Sequence, residues 1–257
     1  MKQGRYRLIE KEALTASRKM WRMRFEAPDI EAEPGQFVEI EAEGHYLRRP
    51  ISVSEYEKGV LTLIIQEAGK GSRQIIETSP GESLDMLTGL GNRFSLPGDD
   101  NGADVILAGG GVGYAPLVGL MKRLTREKRC KPTAVFGFNG GADVPLGHLE
   151  ELRREGMRIE WATMSGEEGW RGNSIETALS LMERENLRPE YFYACGPWPM
   201  MKGACKAFDF EGELSLEARM GCGFGACMGC TILTADGPKR ICKEGPVFKK
   251  SKLVDIL

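Results

Sequence analysis

The stretch Gly221-Cys222-Gly223-Phe224-Gly225-Ala226-Cys227-Met228-Gly229-Cys230, followed by Cys242, decides how this chain is organised. The cysteines have the spacing C-x4-C-x2-C, with eleven residues before the fourth cysteine, and the first three match the plant-type spacing around a [2Fe–2S] cluster. Glycines lie between the cysteines, and glycine allows the close backbone approach that wrapping a chain around inorganic sulfide requires. The spacing therefore predicts a [2Fe–2S] cluster on this loop.

Two other kinds of site also use clustered cysteines. Four thiolates suit a structural Zn²⁺ ion, but zinc sites usually have two short, well-separated pairs, whereas three of these cysteines share the nine-residue loop 222–230. A disulfide framework is disfavoured because the N-terminus, Met1–Arg7, is charged and no apolar stretch of an export signal follows it. Zinc remains the alternative to the cluster.

Length and composition indicate a globular protein with more than one domain. The 257 residues suffice for two ordinary domains and a small third unit, with 41% hydrophobic and 28% charged residues. A net charge of −2 gives no basic footprint for nucleic acid, and no apolar run approaches membrane-spanning length. Seven cysteines, an odd number, without an export signal indicate a cytoplasmic protein. The two histidines are too few for a histidine-based metal centre.

Residues 1–98 have the pattern of short strands. Apolar and acidic residues alternate over 38–43, and a second apolar run spans 60–65, with glycine and proline turns around both. Short strands separated by regular turn signals are typical of a small antiparallel β-barrel.

Two segments of this barrel are suited to a phosphorylated ligand. In Arg49-Pro50-Ile51-Ser52, the permanently charged guanidinium of Arg49 suits a pyrophosphate, and the Ser52 hydroxyl can hydrogen-bond a flavin ring. The segment Gly69–Arg73 is a glycine turn that opens a helix, so its free N–H groups and cationic side chains favour an anion. An ordinary edge strand with exposed arginines would explain the first segment alone, but the two segments together favour a flavin nucleotide.

Residues 99–214 alternate strands with helices, which predicts a doubly wound parallel sheet. The polar run 97–102 separates them from the barrel. Apolar strands are predicted at 105–108, 133–138, 157–163 and 190–194, and the capping box Asn173–Glu176 starts one of the helices. Ligands on such a sheet bind at the carboxyl ends of the strands. Two turns lie at such ends: the glycine turn 109–113 and Cys195-Gly196-Pro197.

A dinucleotide is the ligand that the glycine turn favours, although the turn departs from the usual fingerprint because Pro116 replaces its third glycine. Cys195 is either a packed small residue or a neighbour of the reacting nicotinamide. No arginine follows Thr163 directly to bind a 2′-phosphate, which favours NAD, while Arg171 leaves NADP open.

Together, these motifs resemble the ferredoxin–NADP reductase superfamily, and more closely the electron-transfer subunits of class 1B dihydroorotate dehydrogenases. The resemblance covers nearly the whole chain, and its most specific part is 219–230. It implies three domains: an FAD-binding β-barrel (1–98), an NAD-binding α/β domain (99–214) and a small C-terminal [2Fe–2S] domain (215–257). Ser72, where a threonine is expected, and Trp198, where a smaller or acidic residue is common, depart from the family pattern.

The resemblance also implies which residues bind each cofactor. The expected iron ligands are Cys222, Cys227, Cys230 and Cys242. The expected NAD-binding residues are Gly110, Gly111, Gly113, Cys195 and Gly196. The expected FAD-binding residues are Arg49, Pro50, Ile51, Ser52, Ile64, Ile65 and Gln66, with Gly71 and Ser72 at the pyrophosphate.

The resemblance implies that the chain passes electrons from the FMN of a separate dihydroorotate-oxidising catalytic subunit through [2Fe–2S] and FAD to NAD⁺. It also implies a heterotetramer with two copies of each subunit and a role in pyrimidine biosynthesis. FAD fits between the other two carriers because NAD exchanges two electrons at once and a [2Fe–2S] cluster carries one. No catalytic acid or base is expected in this chain.

Three alternatives to this function remain open at this point: a reductase of the same build with another partner, such as a sulfide dehydrogenase or a monooxygenase; a redox sensor; and a zinc-stapled binding module. Met220, Phe224 and Met228 are predicted to be exposed around the cysteine loop and to dock the partner. The alternative role for these three side chains is to shield the cluster.

Overall fold

The computed structural model of the chain describes residues 1–96, 102–128 and 130–254. The predicted boundary run 97–102 therefore lies, except for Gly102, outside the described residues. Within the described ranges, no helix combines the length and the hydropathy needed to cross a membrane.

The N-terminal part forms the predicted closed antiparallel barrel of six strands. Their order around the barrel is β1-β2-β5-β4-β3-β6, and helix α1 (Lys70–Glu77) connects β5 to β6. Alternate residues of the strands fill the interior, where Val38 and Ile40 are almost fully buried. The strands are β1 (Lys2–Ala13), β2 (Met20–Glu26), β3 (Phe37–Ile40), β4 (Arg49–Glu57), β5 (Val60–Gln66) and β6 (Ser83–Leu90).

The second part is built on a seven-stranded sheet with the order β10-β9-β8-β7-β11-β12-β15. Its first six strands are parallel, as predicted, and β15 is antiparallel to β12. The strands are β7 (Asp104–Gly110), β8 (Lys131–Phe138), β9 (Arg158–Thr163), β10 (Trp170–Arg171), β11 (Pro189–Cys195), β12 (Glu211–Ser215) and β15 (Val247–Lys249). The helices are α2 (Ala115–Glu127), α3 (Leu146–Arg154), α4 (Ser174–Glu185) and α5 (Trp198–Ala207).

The predicted capping box at the start of α4 is present. The Asn173 side chain accepts hydrogen bonds from the N–H groups of Ile175 and Glu176, both at 3.0 Å, and the Glu176 carboxylate accepts one from the N–H of Asn173. These bonds satisfy backbone donors that have no partner inside the helix, so the polar run 173–176 fixes where α4 begins.

The C-terminal segment is joined to the sheet. Strands β13 (Thr231–Thr234) and β14 (Gly237–Arg240) form a separate hairpin, and β15 then returns to the sheet beside β12. The Asn92 side chain, just beyond β6, donates to the carbonyl of Val247 at 2.8 Å and accepts from its N–H at 2.9 Å. The cysteine loop is therefore anchored to both the sheet and the barrel.

Helix α2 holds the sheet against the barrel. Gly119 packs on the backbone of β4, where an added Cβ would lie 3.3 Å from the carbonyl carbon of Ser54. Beside this contact, Lys122 of α2 pairs with Glu55 of β4 at 2.8 Å, and Arg22 of β2 pairs with Glu151 of α3 at 3.1 Å. Both ion pairs cross between the two parts and help to hold the sheet against the barrel.

Candidate redox-cofactor sites

A cavity of about 520 Å³ lies where the outer face of the barrel meets the sheet and the C-terminal segment. Strand β4 supplies one wall, and its register with β3 sets Phe37 beside Ser52 on that wall. Leu216 and Met220 of the C-terminal segment close another side. Nine residues predicted to bind a cofactor line this cavity: Arg49, Pro50, Ile51, Ser52, Ile64, Gln66, Gly71, Ser72 and Gly113.

The remaining predicted flavin residue, Ile65, does not line the cavity. Successive residues of a strand point to opposite faces, and Ile64 and Gln66 take the outer face. The Ile65 side chain is fully buried in the interior of the barrel. Ile64 and Gln66 therefore face the cavity, whereas Ile65 could contact a ligand there only through its backbone, so binding by Ile65 stays a prediction.

The two segments predicted to bind phosphate lie side by side. The guanidinium of Arg49 lies over Gly71 in the first turn of α1, so that a Cβ on Gly71 would be 2.6 Å from Nη2 of Arg49. This arrangement combines a fixed positive charge with the free N–H groups of a helix N-terminus, which together favour a phosphate group.

The Ser72 hydroxyl has a local role in this turn. Its oxygen accepts hydrogen bonds from the N–H groups of Ala68 at 2.8 Å and Gly69 at 3.1 Å, and the hydroxyl donates to the Gly69 carbonyl at 3.0 Å. Ser72 therefore shapes the turn that presents the helix N-terminus, although the residue also lines the cavity.

A second cavity, of about 380 Å³, lies at the carboxyl ends of β7 and β8. Gly110 and Gly111 of the predicted glycine turn line it, together with Phe138, Asn139 and Asn173. This is the edge of a parallel sheet where nucleotides bind.

The predicted residues Cys195 and Gly196 line neither cavity. The Cys195 side chain is 1% exposed and packs inside the sheet, and burial raises the pKa of its thiol. Of the two roles that the sequence left open for Cys195, the structure supports the packed small residue. Its backbone matters for the glycine turn, because an added Cβ on Gly113 would lie 2.6 Å from the carbonyl carbon of Cys195.

Substitution of Gly113 by alanine is expected to destabilise the sheet, because the new methyl group would collide with backbone and not with a movable side chain. Overpacking of this kind costs about 1–3 kcal/mol in the free energy of unfolding, which chemical denaturation measures. The control is Gly147→Ala on α3, where an added Cβ would meet no described atom within 4 Å apart from its chain neighbours and the backbone of its own helix. Better helix propensity should stabilise this variant by up to about 1 kcal/mol. Equal effects of the two substitutions would contradict the tight contact.

The two cavities meet at three residues that line both of them: Gln66, Val112 and Glu217. Glu217 lines the cleft, where the surrounding protein reduces the hydration of its carboxyl group and raises its pKa. Sequence reasoning missed Val112 and Glu217, and the only signal for Glu217 was its position two residues before the motif 219–230. The two cavities therefore adjoin at this junction.

The four cysteines of the predicted cluster lie in two pairs. The Cys222 thiol interacts with that of Cys227, and the Cys230 thiol with that of Cys242, whose backbone N–H also donates to Cys230 Sγ at 3.4 Å. Backbone N–H groups point at the sulfur atoms: those of Ala226 and Cys227 lie 3.2 and 3.4 Å from Cys222 Sγ. In the described ranges, no three histidine, cysteine or acidic side chains are arranged to hold a single metal ion.

Glycine makes this loop possible at Gly223 and Gly225, whose φ angles are +73° and +93°. The loop directs N–H groups inward, and these groups affect the thiols. Burial opposes ionisation of Cys222, but the N–H groups of Cys227, Phe224 and Ala226 outweigh it and lower its pKa to about 6. Burial and the adjacent Cys230 thiol raise the pKa of Cys242 to about 12. Two thiol pairs surrounded by N–H donors fit a two-iron, two-sulfide cluster, which binds thiolates and accepts hydrogen bonds at sulfur.

The predicted docking residues separate into two groups. Phe224 and Met228 are exposed beside Cys227, with 45% and 54% of their surface accessible. Met220, predicted to be exposed, is 8% accessible, because it packs in the core of the C-terminal segment and lines the larger cavity. The prediction for Met220 was therefore wrong.

Solved structures with a similar architecture identify the fold. The fold matches the structure of an NADH-dependent reduced ferredoxin–NADP oxidoreductase with a TM-score of 0.83 and 23% identity, over 97% of this chain and 89% of that one. It also matches a ferredoxin–NADP⁺ reductase from Neisseria gonorrhoeae, solved with bound FAD and NADP, with a TM-score of 0.64 and 19% identity over 80% and 90% of the two chains. The fold is thus of the ferredoxin–NADP reductase type.

Sequence relatives specify the family. Residues 107–206 match the oxidoreductase NAD-binding domain, and residues 217–254 match the iron–sulfur cluster binding domain of dihydroorotate dehydrogenase B. The electron transfer subunit of dihydroorotate dehydrogenase B (NAD(+)) from Bacillus caldolyticus is 35% identical over 231 residues, covering 86% of this chain and 87% of that protein. The subunit of the same name from Desulforamulus reducens is 37% identical over 249 residues, covering 90% and 91%.

The chain belongs to the family of electron transfer subunits of dihydroorotate dehydrogenase B (NAD(+)). The predicted family and the predicted fold class are both confirmed.

Proposed function

We propose that this chain connects an FMN-containing catalytic subunit, which oxidises dihydroorotate, to NAD⁺, using FAD and a [2Fe–2S] cluster as its own electron carriers. One observation supports this function above the others. On one side, the larger cavity shares residues with the second cavity, at the carboxyl ends of β7 and β8, which is called the nucleotide cavity from here on. On the other side, the larger cavity is closed by the segment that carries the cysteine loop. A single two-electron carrier bound there would adjoin both a hydride acceptor and a one-electron carrier.

In this proposal the barrel holds FAD. Arg49 and the first turn of α1 bind the pyrophosphate, while Pro50, Ser52 and Gln66 line the flavin ring. Ile64 is 2% exposed and provides an apolar wall, which keeps water away from the ring. The FAD supplies the step between paired and single electrons, and the protein fixes its position.

The cysteine pairs hold the iron. Cys222 with Cys227 would bind one iron atom, and Cys230 with Cys242 the other. Cys230 and Cys242 are 4% and 2% exposed, whereas Cys227 is exposed, so one side of the cluster would face the surface. Phe224 and Met228 surround that side and would contact the catalytic subunit.

The nucleotide cavity would bind NAD(H). Gly110 and Gly111 allow the backbone to approach the pyrophosphate, and the nicotinamide would lie at the junction formed by Gln66, Val112 and Glu217. The described lining of this cavity contains two carboxylates, Asp143 and Glu217, and no lysine or arginine.

We therefore expect the chain to use NADH at least about tenfold better than NADPH in kcat/KM, which corresponds to about 1.4 kcal/mol. The reason is that the 2′-phosphate would bring negative charge into a cavity with two carboxylates among its described lining residues and no cation. Reduction of an artificial dye by each nucleotide measures this ratio.

Met164→Arg should reduce the preference for NADH over NADPH, because the introduced arginine would place a cation in the nucleotide cavity. Met164 lines this cavity and is 57% exposed. Met164→Gln is the neutral control. Equal use of the two nucleotides by the unmodified chain would contradict the assignment.

The experiment that tests the whole function is coexpression with and without the dihydroorotate-oxidising subunit. The complex should reduce NAD⁺ with dihydroorotate, and native mass spectrometry should find two copies of each subunit. The isolated chain should oxidise NADH with dyes only. If the chain reduced dyes with NADH but formed no complex with the dihydroorotate-oxidising subunit, the proposed partner would be wrong. The cytoplasmic location remains a prediction from the sequence.

A further inference from the structure

Glu39 of β3 is a buried carboxyl group without a partner. It is 2% exposed, and neither of its carboxylate oxygens has a hydrogen-bond partner among the described residues. The two nearest arginines bind other groups: Arg48 pairs with Asp85 at 2.5 Å, and Arg49 donates to the Leu47 carbonyl. Burying a polar group without a hydrogen bond is costly, so a partner at this position is expected.

The strand register places this carboxyl group between the two proposed carriers. Phe37 and Glu39 lie on the same outer face of β3, and Phe37 lines the larger cavity, where FAD is proposed to bind. On the neighbouring strand, Glu39 is opposite Pro50, which lines the same cavity.

On its other side, Glu39 packs against the cysteine loop. A Cβ on Gly223 would lie 2.6 Å from Cγ and 2.8 Å from Cδ of Glu39. Gly223 has a φ of +73° and follows Cys222, so the carboxyl group occupies the space that a side chain at this turn would fill.

The chemistry of the loop indicates what the missing partner is. Cluster sulfides and cysteine sulfurs accept hydrogen bonds and carry negative charge. The negative charge of an ionised carboxylate would be repelled by these sulfur atoms, whereas the neutral acid can donate its O–H to one of them. Burial away from water also favours the neutral acid over the carboxylate.

We propose that Glu39, as a neutral acid, donates a hydrogen bond toward the sulfur atoms held at Cys222 and so raises the reduction potential of the cluster relative to the flavin. Such a bond stabilises the reduced cluster more than the oxidised one, because the reduced cluster carries more negative charge on sulfur. This inference depends on the proposed [2Fe–2S] site. Glu39 is a tuning residue in this scheme, and its backbone register keeps it beside both carriers.

The test compares cluster reduction potentials, measured by EPR-monitored redox titration of the intact FAD-containing protein at one pH. Glu39→Leu removes the donor at similar size and should shift the one-electron equilibrium of the cluster toward the oxidised form by about tenfold, a fall of about 59 mV. Glu39→Gln keeps an N–H donor, so its reduction potential should fall by less than half as much as that of Glu39→Leu. The control Glu43→Leu, at an exposed position three residues beyond β3, should leave the potential unchanged.

A second readout separates tuning from a structural role. A structural role would lower the melting temperature of Glu39→Leu, whereas a lowered potential in a protein that melts near the unmodified temperature supports tuning. If Glu39→Leu does not retain its cluster, Glu39→Met provides the apolar replacement, with the same expected fall.

An unchanged potential in the apolar variant would overturn the inference, and so would a rise in Glu39→Gln, since that would mean an ionised carboxylate. If the unmodified protein gives no cluster signal at all, the proposed function fails, and this outcome is distinct from both of the others.

Discussion

Cys227→Ala is expected to abolish electron delivery to the catalytic subunit while reduction of dyes by NADH continues. Removing one of four thiolates leaves one iron atom a ligand short, and the cluster should be lost or bound at least about 100-fold more weakly, since even outer-shell changes can cost that much. The FAD and nucleotide cavities contain no part of Cys227, so the NADH-to-flavin step should be retained. The assays are iron content, absorbance beyond the flavin bands, and the two activities measured side by side.

Cys227 suits this test because its side chain is exposed, so its loss should not disturb the core. The matched control is Cys205→Ala on α5, a buried free cysteine outside the cysteine loop. It should keep both activities and the full iron content. Retention of the cluster and of partner activity in Cys227→Ala would mean that Cys227 is not an iron ligand.

Arg49→Ala is expected to weaken FAD binding roughly 10- to 150-fold. The guanidinium lies over the first turn of α1, where the pyrophosphate is proposed to bind, and a hydrogen bond to a charged group contributes about 1.5–3 kcal/mol. Fluorescence of released FAD on dilution measures the dissociation constant. The FAD affinity of Arg49→Lys should lie between those of the unmodified protein and of Arg49→Ala, because lysine keeps the charge but cannot form two parallel hydrogen bonds to a phosphate.

The control for Arg49 is Arg24→Ala on β2, where the guanidinium pairs with Glu10 on the barrel surface at 2.7 Å, outside the larger cavity. FAD affinity should not change in this variant. If Arg49→Ala also kept its FAD affinity, the phosphate would have to bind elsewhere in the cavity.

Local signals in the sequence predicted most of the fold. The alternation in 38–43 indicated β3, and the capping box at Asn173 marked the start of α4. Both depend on residues close together in the chain. The return of β15 to the sheet beside β12 was not predicted, because this pairing joins segments more than thirty residues apart and neither carries a distinctive pattern.

The candidate sites were predicted less evenly. Motifs with fixed spacing located the cysteine loop, Arg49 and the glycine turn, because their chemistry requires particular residues at particular distances. Single residues were harder to predict. Ile65 lies on the inner face of a strand whose orientation was unknown, and Met220 is buried by contacts made far away in the chain.

The burial of Glu39 could not be predicted from the sequence either. In the sequence it is one acidic residue of an alternating strand and reads as a solvent-facing side chain. The cysteine loop covers it at Gly223, which lies 184 positions further along the chain. Burial of this kind depends on tertiary contacts, which no local pattern contains.

The central claim is that one chain holds a two-electron carrier next to an iron–sulfur cluster. The most direct test is the cofactor content of protein purified without oxygen, combined with EPR after addition of NADH. We expect two iron atoms, two acid-labile sulfides and one FAD per chain, with a signal from a reduced [2Fe–2S] cluster once NADH is added. Zinc in place of iron, or a cluster that NADH leaves oxidised, would contradict the claim.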